Sequence, residues 1–327
     1  MRAIIASEPG GPEVLRLVDL PMPEYGPTEV LIRVHAAGLN RADLLQRQGF
    51  YPPPPGASDV LGMEVSGVVV GVGELVRAVE VGTSVVALVT SGGYADHCVA
   101  AAAAVLPLPT GLTFEEGAAL PEVVATVWSN LFMVAGLQPD EWVLIHGGGS
   151  GVGTMAIQLA HAAGAHVVTT VGSSRKATAC QALGADIAIN YRTDDFVPEV
   201  AAATQGRGVD VVLDLMGAAY LERNLAALAP DGRLVIIGLQ GGTTTTIDLS
   251  LLLARRLSVV GTSLRSRPLS DKALIFEQLR DVVWPLLANG SVRPVVSNVF
   301  DLADVVAAHE ALAAGDHIGK IILRVEA

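Results

Sequence analysis

Residues 142–153, WVLIHGGGSGVG, decide the fold class of this chain. Segment 142–146 has the length and composition of a buried strand, and segment 154–163 after the glycines is typical of a helix. Glycines let a backbone turn tightly and approach a pyrophosphate, whose charge then meets the N-terminus of the helix. A glycine run alone also fits a flexible turn, but the flanking strand and helix favour a dinucleotide site.

The chain after this stretch repeats the pattern of strand, turn and helix. Five further apolar segments alternate with helical stretches: 166–171, 187–190, 209–214, 233–239 and 257–262. Six apolar strands joined by helical crossovers predict an α/β fold, a Rossmann doubly wound parallel sheet with helices on both faces. We assign residues 123–265 to this domain.

The chain before residue 122 has a different character. Short β-branched segments at 30–34, 64–70, 84–89 and 94–99 are separated by glycine and proline. This spacing predicts a β-rich, barrel-like or sandwich-like unit. The last 60 or so residues are too few for a third domain, so we expect them to pack on the first. The predicted domains are therefore 1–122 with 266–327, and 123–265.

Composition excludes several classes of function. Acidic residues outnumber basic ones, 33 to 21, giving a net charge of −12 that argues against nucleic-acid binding. No uninterrupted apolar run reaches the roughly 18 residues of a membrane span, and the N-terminus does not resemble a signal peptide. We expect a cytoplasmic protein without a membrane segment. The two cysteines exclude a disulfide framework.

The end of the second predicted strand indicates which dinucleotide is bound. An NAD site usually places Asp or Glu about 20 residues after the glycines, to bind the ribose hydroxyls. Here residues 171–176 read VGSSRK, with no carboxylate, two cations and two hydroxyls. These groups suit a 2′-phosphate. The alternative is that Arg175 and Lys176 form a solvated helix face. We predict NADPH as the cofactor.

With these parts in place, the chain resembles the medium-chain dehydrogenase/reductases over nearly its whole length. Its first part resembles their GroES-like catalytic domain, and the closest resemblance is to the zinc-free quinone oxidoreductases, the zeta-crystallin-like group. The sequences that carry it are AGLNRAD at 37–43, GMEVSGVV at 62–69, the glycine turn at 147–153, and IGKIIL at 318–323.

The chain departs from the zinc alcohol dehydrogenases of that superfamily at their metal positions. Those enzymes have a cysteine where this chain has Asn40, and a histidine where it has Met63 beside Glu64. Asparagine and methionine are poor zinc ligands. The four-cysteine structural lobe is also missing, with Cys98 alone in the region. We predict no metal site.

The resemblance assigns the substrate pocket to Asn40 and Tyr51. Asn40 would hydrogen-bond a substrate oxygen, and Tyr51 would stack on a ring or on the nicotinamide. Each residue has a structural alternative. Asn40 also suits the N-cap of a helix beginning at Arg41, and Tyr51 also suits a cover over the turn before the four prolines at 52–55.

The resemblance also implies cofactor contacts near the strand ends. Thr126 would face the nicotinamide, Tyr191 would lie on the adenine side, and Lys320 would return from the tail toward the phosphates. For Arg265, a phosphate contact and a solvated pair with Arg267 are equally acceptable. The full predicted set is Thr126, Ser150, Gly151, Val152, Gly153, Ser173, Arg175, Lys176, Tyr191, Gly238, Leu239, Ser263, Leu264, Arg265 and Lys320.

The implied function is that of an NADPH-dependent, zinc-independent quinone oxidoreductase, with hydride or electron transfer to a quinone in the interdomain cleft. Activated alkenes are the alternative acceptors, through reduction of the double bond of an enone or 2-alkenal. A non-catalytic, crystallin-like NADPH-binding protein is a third reading. The apolar segment 257–262 is predicted to lie at a sheet edge, where relatives pair into a homodimer.

Overall fold

The computed structural model describes residues 1–325 and divides the chain into two compact units. The first unit contains residues 1–125, 265–290 and those from 294 onward; the second contains 126–264 and 291–293. The predicted boundaries therefore need correction at three places. Residues 123–125 and Arg265 belong to the first unit, and residues 291–293 belong to the second.

Two sets of hydrogen bonds explain the corrections at residues 291–293 and at Arg265. The Gln158 side chain donates to Arg293 O and accepts from Arg293 N, both at 2.9 Å, which holds residues 291–293 in the second unit. The Arg265 guanidinium donates to Thr90 O and to Gln46 Oε1, both at 2.8 Å, within the first unit. Neither set is visible in hydrophobic periodicity.

The strands of the described chain follow in order. They are β1 (Arg2–Ala6), β2 (Leu15–Asp19), β3 (Glu29–Gly38), β4 (Glu64–Val72), β5 (Ser84–Leu88), β6 (His97–Ala101), β7 (Val105–Pro107), β8 (Trp142–His146), β9 (His166–Val171), β10 (Ile187–Asn190), β11 (Val209–Asp214), β12 (Leu228–Ile236), β13 (Ser258–Gly261), β14 (Val296–Asp301) and β15 (Lys320–Arg324).

The α-helices follow in order as well. They are α1 (Arg41–Arg47), α2 (Phe114–Gly117), α3 (Pro121–Val127), α4 (Gly151–Ala162), α5 (Ser174–Ala182), α6 (Phe196–Ala203), α7 (Leu221–Ala227), α8 (Leu249–Arg255), α9 (Leu269–Gln278), α10 (Trp284–Ala288) and α11 (Val305–Ala314). A π-helical segment, Leu279–Val283, joins α9 to α10, so the helical stretch is continuous from Leu269 to Ala288.

The first unit is built on a seven-stranded sheet in the order β14-β15-β3-β4-β5-β7, with β6 paired to β3. Along β3, Val30, Ile32 and Val34 are buried while Arg33 between them is exposed, as expected for a strand with one face on the core. The tail adds β14 and β15 to this sheet. β14 begins at Val296, after residues 291–293, which belong to the second unit.

The second unit is a six-stranded parallel sheet in the order β10-β9-β8-β11-β12-β13. This confirms the predicted Rossmann fold. The direction of winding reverses between β8 and β11, and ligands of such sheets bind outside the carboxyl ends of the strands at this point. β13 lies at the sheet edge, where Val259 and Val260 are 38% and 37% exposed.

One helical stretch, Phe114–Val134, is long and apolar enough to cross a membrane. However, 72% of its most apolar window is buried inside the protein. A core helix passes the same test of length and hydropathy, so this stretch is weak evidence for a membrane span.

Candidate functional site

The glycine turn between β8 and α4 is closed by its own backbone. Gly147 adopts φ +69°, which favours glycine. The Ser150 N–H donates to Gly147 O at 2.9 Å, and Ser150 Oγ caps α4 by accepting from Gly153 N at 3.0 Å. A Cβ on Gly153 would lie 2.3 Å from Gly147 O. Glycine is therefore required for the helix to start this close to the turn.

The predicted contacts Gly151, Val152 and Gly153 form the first turn of α4, beside Ser150. The first N–H groups of a helix lack intrahelical acceptors, and the helix dipole makes this end favourable for anions. No acidic side chain lies in the first turn of α4. The turn therefore fits the pyrophosphate of a dinucleotide, and its small residues leave room for the pyrophosphate to reach the N–H groups of α4.

Lys176 lies alongside this turn. Its Cδ would be 2.9 Å from a Cβ on Gly149, so the aliphatic part of the lysine covers the glycine. Lys176 is in the first turn of α5, where Ser173 Oγ accepts from its N–H at 3.4 Å. The neighbouring Arg175 is exposed. The structure thus brings Ser173, Arg175 and Lys176 to the end of β9, next to the glycine turn.

The loop after β10 completes this cationic cluster. A Cβ on Gly172, at the end of β9, would lie 2.6 Å from Tyr191 Oη and 3.5 Å from Arg192 Nε. Tyr191, which was predicted, and Arg192, which was missed, therefore meet the same strand end as Lys176. The pairing of β9 with β10 in parallel explains the meeting, since their carboxyl ends lie at one edge. Arg192 could have been predicted from the sequence, because it directly follows Tyr191, a residue already assigned to the adenine side of the cofactor.

Other predicted contacts lie in loops at that edge of the sheet. Gly238 and Leu239 follow β12, which ends earlier than expected at Ile236, and Leu239 is 53% exposed. Ser263 and Leu264 follow the end of β13. Their positions agree with the rule that ligands of such sheets meet the carboxyl ends of strands.

Thr126 begins the second unit and is buried. Its carbonyl accepts from Asn130 Nδ2 at 2.7 Å. Its role toward the nicotinamide stays a prediction.

Asn40 sits in a buried hydrogen-bond network of the first unit. It is the N-cap residue of α1 but makes no side-chain cap hydrogen bond. Instead, Nδ2 donates to Glu64 Oε1 at 2.9 Å and to Gly38 O at 3.4 Å, and Oδ1 accepts from Lys320 Nζ at 2.8 Å. Both amide hydrogens thus have acceptors within the protein. Donating one to a substrate would break an internal hydrogen bond.

Lys320 has partners other than the phosphates that the sequence suggested. Only 4% exposed, its Nζ lies 2.5 Å from Glu64 Oε1 and donates to Leu39 O at 2.5 Å as well as to Asn40. Its three donor hydrogens match these three acceptors. We correct the expectation accordingly: Lys320 supports Asn40 and Glu64 from inside the first unit.

A second buried carboxyl, Asp43, lies in the first turn of α1. Its Oδ2 accepts from Asn40 N at 2.7 Å and from Tyr94 Oη at 2.8 Å. Burial raises the pKa of Asp43 to about 6, against the lowering effect of the Tyr94 hydrogen bond. Its other oxygen, Oδ1, is buried without a hydrogen-bond partner.

Tyr51 and Arg265 are brought together in the first unit. The guanidinium carbon of Arg265 lies 5.1 Å from the centre of the Tyr51 ring, and its Nη1 donates to Tyr51 O at 3.3 Å. Arg265 was predicted as a cofactor contact, with a solvated pair as the alternative. Its guanidinium instead binds residues of the first unit.

The metal positions of zinc relatives are occupied by groups unsuited to zinc. Asn40 binds an ammonium and a carboxylate, and Met63 is a buried thioether. Within residues 1–325, no group of three or more His, Cys, Asp or Glu side chains is placed to hold a metal ion.

Comparison with known proteins agrees with the two-domain organisation of the chain. Residues 26–126 match the family described as "Alcohol dehydrogenase GroES-like domain", and residues 151–281 match "Zinc-binding dehydrogenase". The chain is 32% identical over 326 residues to the quinone oxidoreductase of Rattus norvegicus, covering 99% of this chain and 97% of that protein. The chain belongs to the quinone oxidoreductase family. It is an oxidoreductase of the medium-chain dehydrogenase/reductase superfamily.

Solved structures of the superfamily are similar over the whole chain. The Escherichia coli quinone oxidoreductase complexed with NADPH is 31% identical, with a TM-score of 0.89 over 99% of this chain and 100% of that one. An NAD-dependent alcohol dehydrogenase is 34% identical, with a TM-score of 0.89 over 100% of both chains. The CurK enoyl reductase is 29% identical, with a TM-score of 0.87 over 99% of both. Enzymes with different named activities are thus equally similar in fold, so the fold alone does not determine the cofactor or the substrate.

Proposed function

We propose that this oxidoreductase is NADPH-dependent and zinc-independent, and that its substrate is a quinone. The observation that carries the cofactor choice is the cluster at the end of β9. Tyr191 and Arg192 lie beside Gly172, Lys176 lies beside Gly149, and residues 171–176 contain no carboxylate to bind a ribose hydroxyl. The similar Escherichia coli enzyme, complexed with NADPH, supports this choice. An NAD-dependent enzyme is equally similar in fold, so the choice of NADPH depends on these residues and not on the fold.

The chain offers a separate group for each part of the cofactor. The pyrophosphate would bind at the N-terminus of α4, where Gly151 and Val152 present N–H groups. The 2′-phosphate would bind to Lys176, Arg192 and the Tyr191 hydroxyl. When bound, NADPH supplies a hydride to an acceptor.

The choice of acceptor rests on the first unit. Asn40 and Met63 give no zinc ligands to polarise a simple carbonyl, so an acceptor that is already activated by conjugation is favoured. Tyr51, held by Arg265, offers an aromatic face that suits a planar ring. Quinones meet both conditions, and relatives carry the name quinone oxidoreductase.

The cofactor proposal is tested by the double variant Arg175→Ala/Lys176→Ala and by Arg192→Ala. Each lost phosphate contact removes a charge-assisted hydrogen bond of about 1.5–3 kcal/mol, so NADPH affinity should fall by roughly tenfold or more. NADH affinity should stay the same. Arg256→Gln is the matched control, because that exposed arginine pairs with Asp231. Unchanged NADPH affinity in both test variants would contradict the assignment of the 2′-phosphate to this cluster.

A second candidate function is the reduction of a conjugated carbon–carbon double bond. The similarity to the CurK enoyl reductase favours it. Competition between a small ortho-quinone and an α,β-unsaturated ketone, both with NADPH, separates the two activities by their kcat/KM values. Retained NADPH binding without turnover of either acceptor would favour a non-catalytic NADPH-binding protein instead.

We also propose a homodimer formed through β13 and a cytoplasmic location. The edge position of β13 and its exposed Val259 and Val260 support the dimer, because an unpaired apolar edge invites pairing with another chain. The net charge of −12 supports a small-molecule partner over nucleic acid.

A further inference from the structure

The Arg265 side chain connects three segments of the first unit. Its Nε donates to Thr90 O at 2.8 Å, its Nη2 to Gln46 Oε1 at 2.8 Å, and its Nη1 to Tyr51 O at 3.3 Å. The guanidinium also lies over the Tyr51 ring, 5.1 Å from its centre. All three nitrogens are therefore engaged by protein groups.

The backbone of Arg265 is anchored as well. Lys272 Nζ donates to Arg265 O at 2.9 Å. The side chain is half-buried, and burial lowers the pKa of its guanidinium, which nevertheless stays charged at neutral pH. A planar fork that donates in three directions is a property of arginine and is not reproduced by lysine.

The Arg265 guanidinium supplies a hydrogen-bond donor to the loop that carries Tyr51. Tyr51 is followed by four prolines, residues 52–55, which have no backbone N–H to donate. On the side of α1, the N–H groups of Phe50 and Tyr51 donate to Leu45 O at 2.9 and 3.2 Å. On the other side, Arg265 donates to the Tyr51 carbonyl and covers the ring.

We propose that Arg265 is a positioning residue, which orients the Tyr51 ring for the acceptor and thereby sets the KM for an aromatic or quinone-like ring. This inference rests on the proposed function, which places Tyr51 at the substrate. It assigns Arg265 to acceptor recognition and removes it from the contacts to the cofactor phosphates.

The variants Arg265→Met and Arg265→Lys test the proposal, with Arg280→Met as control. Arg280 is an exposed arginine of the same unit, paired with Asp281. Arg265→Met should raise the KM for a small ortho-quinone about tenfold, the scale of one lost charge-assisted or cation–π contact. Arg265→Lys should recover only part of this effect. The Kd of NADPH, from its fluorescence on binding, should change less than about twofold.

Variants of the ring show whether Arg265 acts through Tyr51. Tyr51→Leu removes the aromatic face and should raise the KM as Arg265→Met does. In a double-mutant cycle, Arg265→Met should add little to Tyr51→Leu, because the two act through one ring. Effects on KM that multiply in the double variant would overturn the proposal, and so would a Kd for NADPH that rises with the KM.

A measurement without turnover separates this proposal from the proposed function. Chymotrypsin cleaves after exposed Phe, and Phe50 is 78% exposed while the next residue, Tyr51, is held by Arg265. Arg265→Met should speed cleavage of the Phe50–Tyr51 bond, and Arg280→Met should not. If the wild type reduces no quinone, the proposed function fails, while faster cleavage still supports the anchoring. Unchanged cleavage would contradict the anchoring itself, whatever the substrate.

Discussion

The Lys320 ammonium lies 2.5 Å from the Glu64 carboxylate, and their side chains are only 5% and 0% exposed. Asn40 joins both, accepting from the lysine and donating to the glutamate. The second oxygen of Glu64 accepts from Glu122 N at 2.9 Å. The direction of the Asn40 amide is therefore determined by a buried ion pair. A residue predicted to bind substrate is oriented by a residue predicted to bind phosphate.

Lys320→Met should strongly destabilise the protein. It leaves Glu64 buried without a countercharge, which typically costs about 3–5 kcal/mol in the free energy of unfolding. Urea unfolding followed by circular dichroism measures the loss. Lys320→Met/Glu64→Gln should lose less than the sum of the two single variants, because no unpaired charge remains. A strictly additive double variant would show that the pair is not coupled.

Asp43→Asn should change how stability depends on pH. The pKa of Asp43 is raised from 3.8 to about 6 in the folded protein. A raised pKa favours the folded state fully below pH 3.8, and this contribution is lost as the pH rises through about 6. Relative to the variant, the wild type should lose roughly 2 kcal/mol between pH 4 and pH 7.

The comparison of wild type with Asp43→Asn isolates this group. Burial lowers the pKa of His146 to about 4 and that of His309 to about 3, so their contributions have the opposite sign in the same range. Both histidines are present in both proteins, and their effects cancel in the difference. Urea midpoints at several pH values measure it. A difference independent of pH would show that folding does not raise the pKa of Asp43.

Gly153→Ala should disturb the cofactor turn. The added Cβ would lie 2.3 Å from Gly147 O, a backbone atom that cannot move without opening the turn. We expect a loss of about 1–3 kcal/mol in stability and a weaker NADPH affinity, measured by thermal unfolding with and without NADPH. Gly261→Ala is the control, since its Cβ would meet no atom within 4 Å. Equal behaviour of the two variants would contradict the steric argument.

Val259→Lys should convert the proposed dimer to a monomer. Val259 lies on the edge strand β13, and a lysine on an edge strand disfavours pairing with another chain. Light scattering coupled to size exclusion gives the mass of each protein. Lys substitution at Leu17, an exposed residue of β2, is a control that should leave the mass unchanged. A monomeric wild type would contradict the dimer.

Much of the second unit was predictable because its signals are local. The apolar segment 142–146, the glycines and the Ser150 cap lie within a dozen residues of each other, so strand, turn and helix follow from short-range preferences. The sheet order β10-β9-β8-β11-β12-β13 and the edge position of β13 follow from the rule for right-handed crossovers.

The first unit was predictable as a β-rich fold, whereas the partners of its charged side chains were not. Lys320 meets Asn40 across 280 residues, and Arg265 meets Gln46 across 219. Hydrophobic periodicity contains no information on contacts of that separation. The predicted phosphate roles of these two cations followed a resemblance, and the structure gives both other partners.

The sequence by itself determined the Rossmann unit, its glycine turn, and the lack of a carboxylate after the second strand. Only the tertiary structure decided that Arg192 lies beside Gly172 at the end of β9, that Lys320 and Glu64 hold Asn40, and that Arg265 holds Tyr51. The physical reason is that backbone preferences act over a few residues. A buried charge, by contrast, is stable only with a partner, and the folded chain supplies that partner from a distant segment.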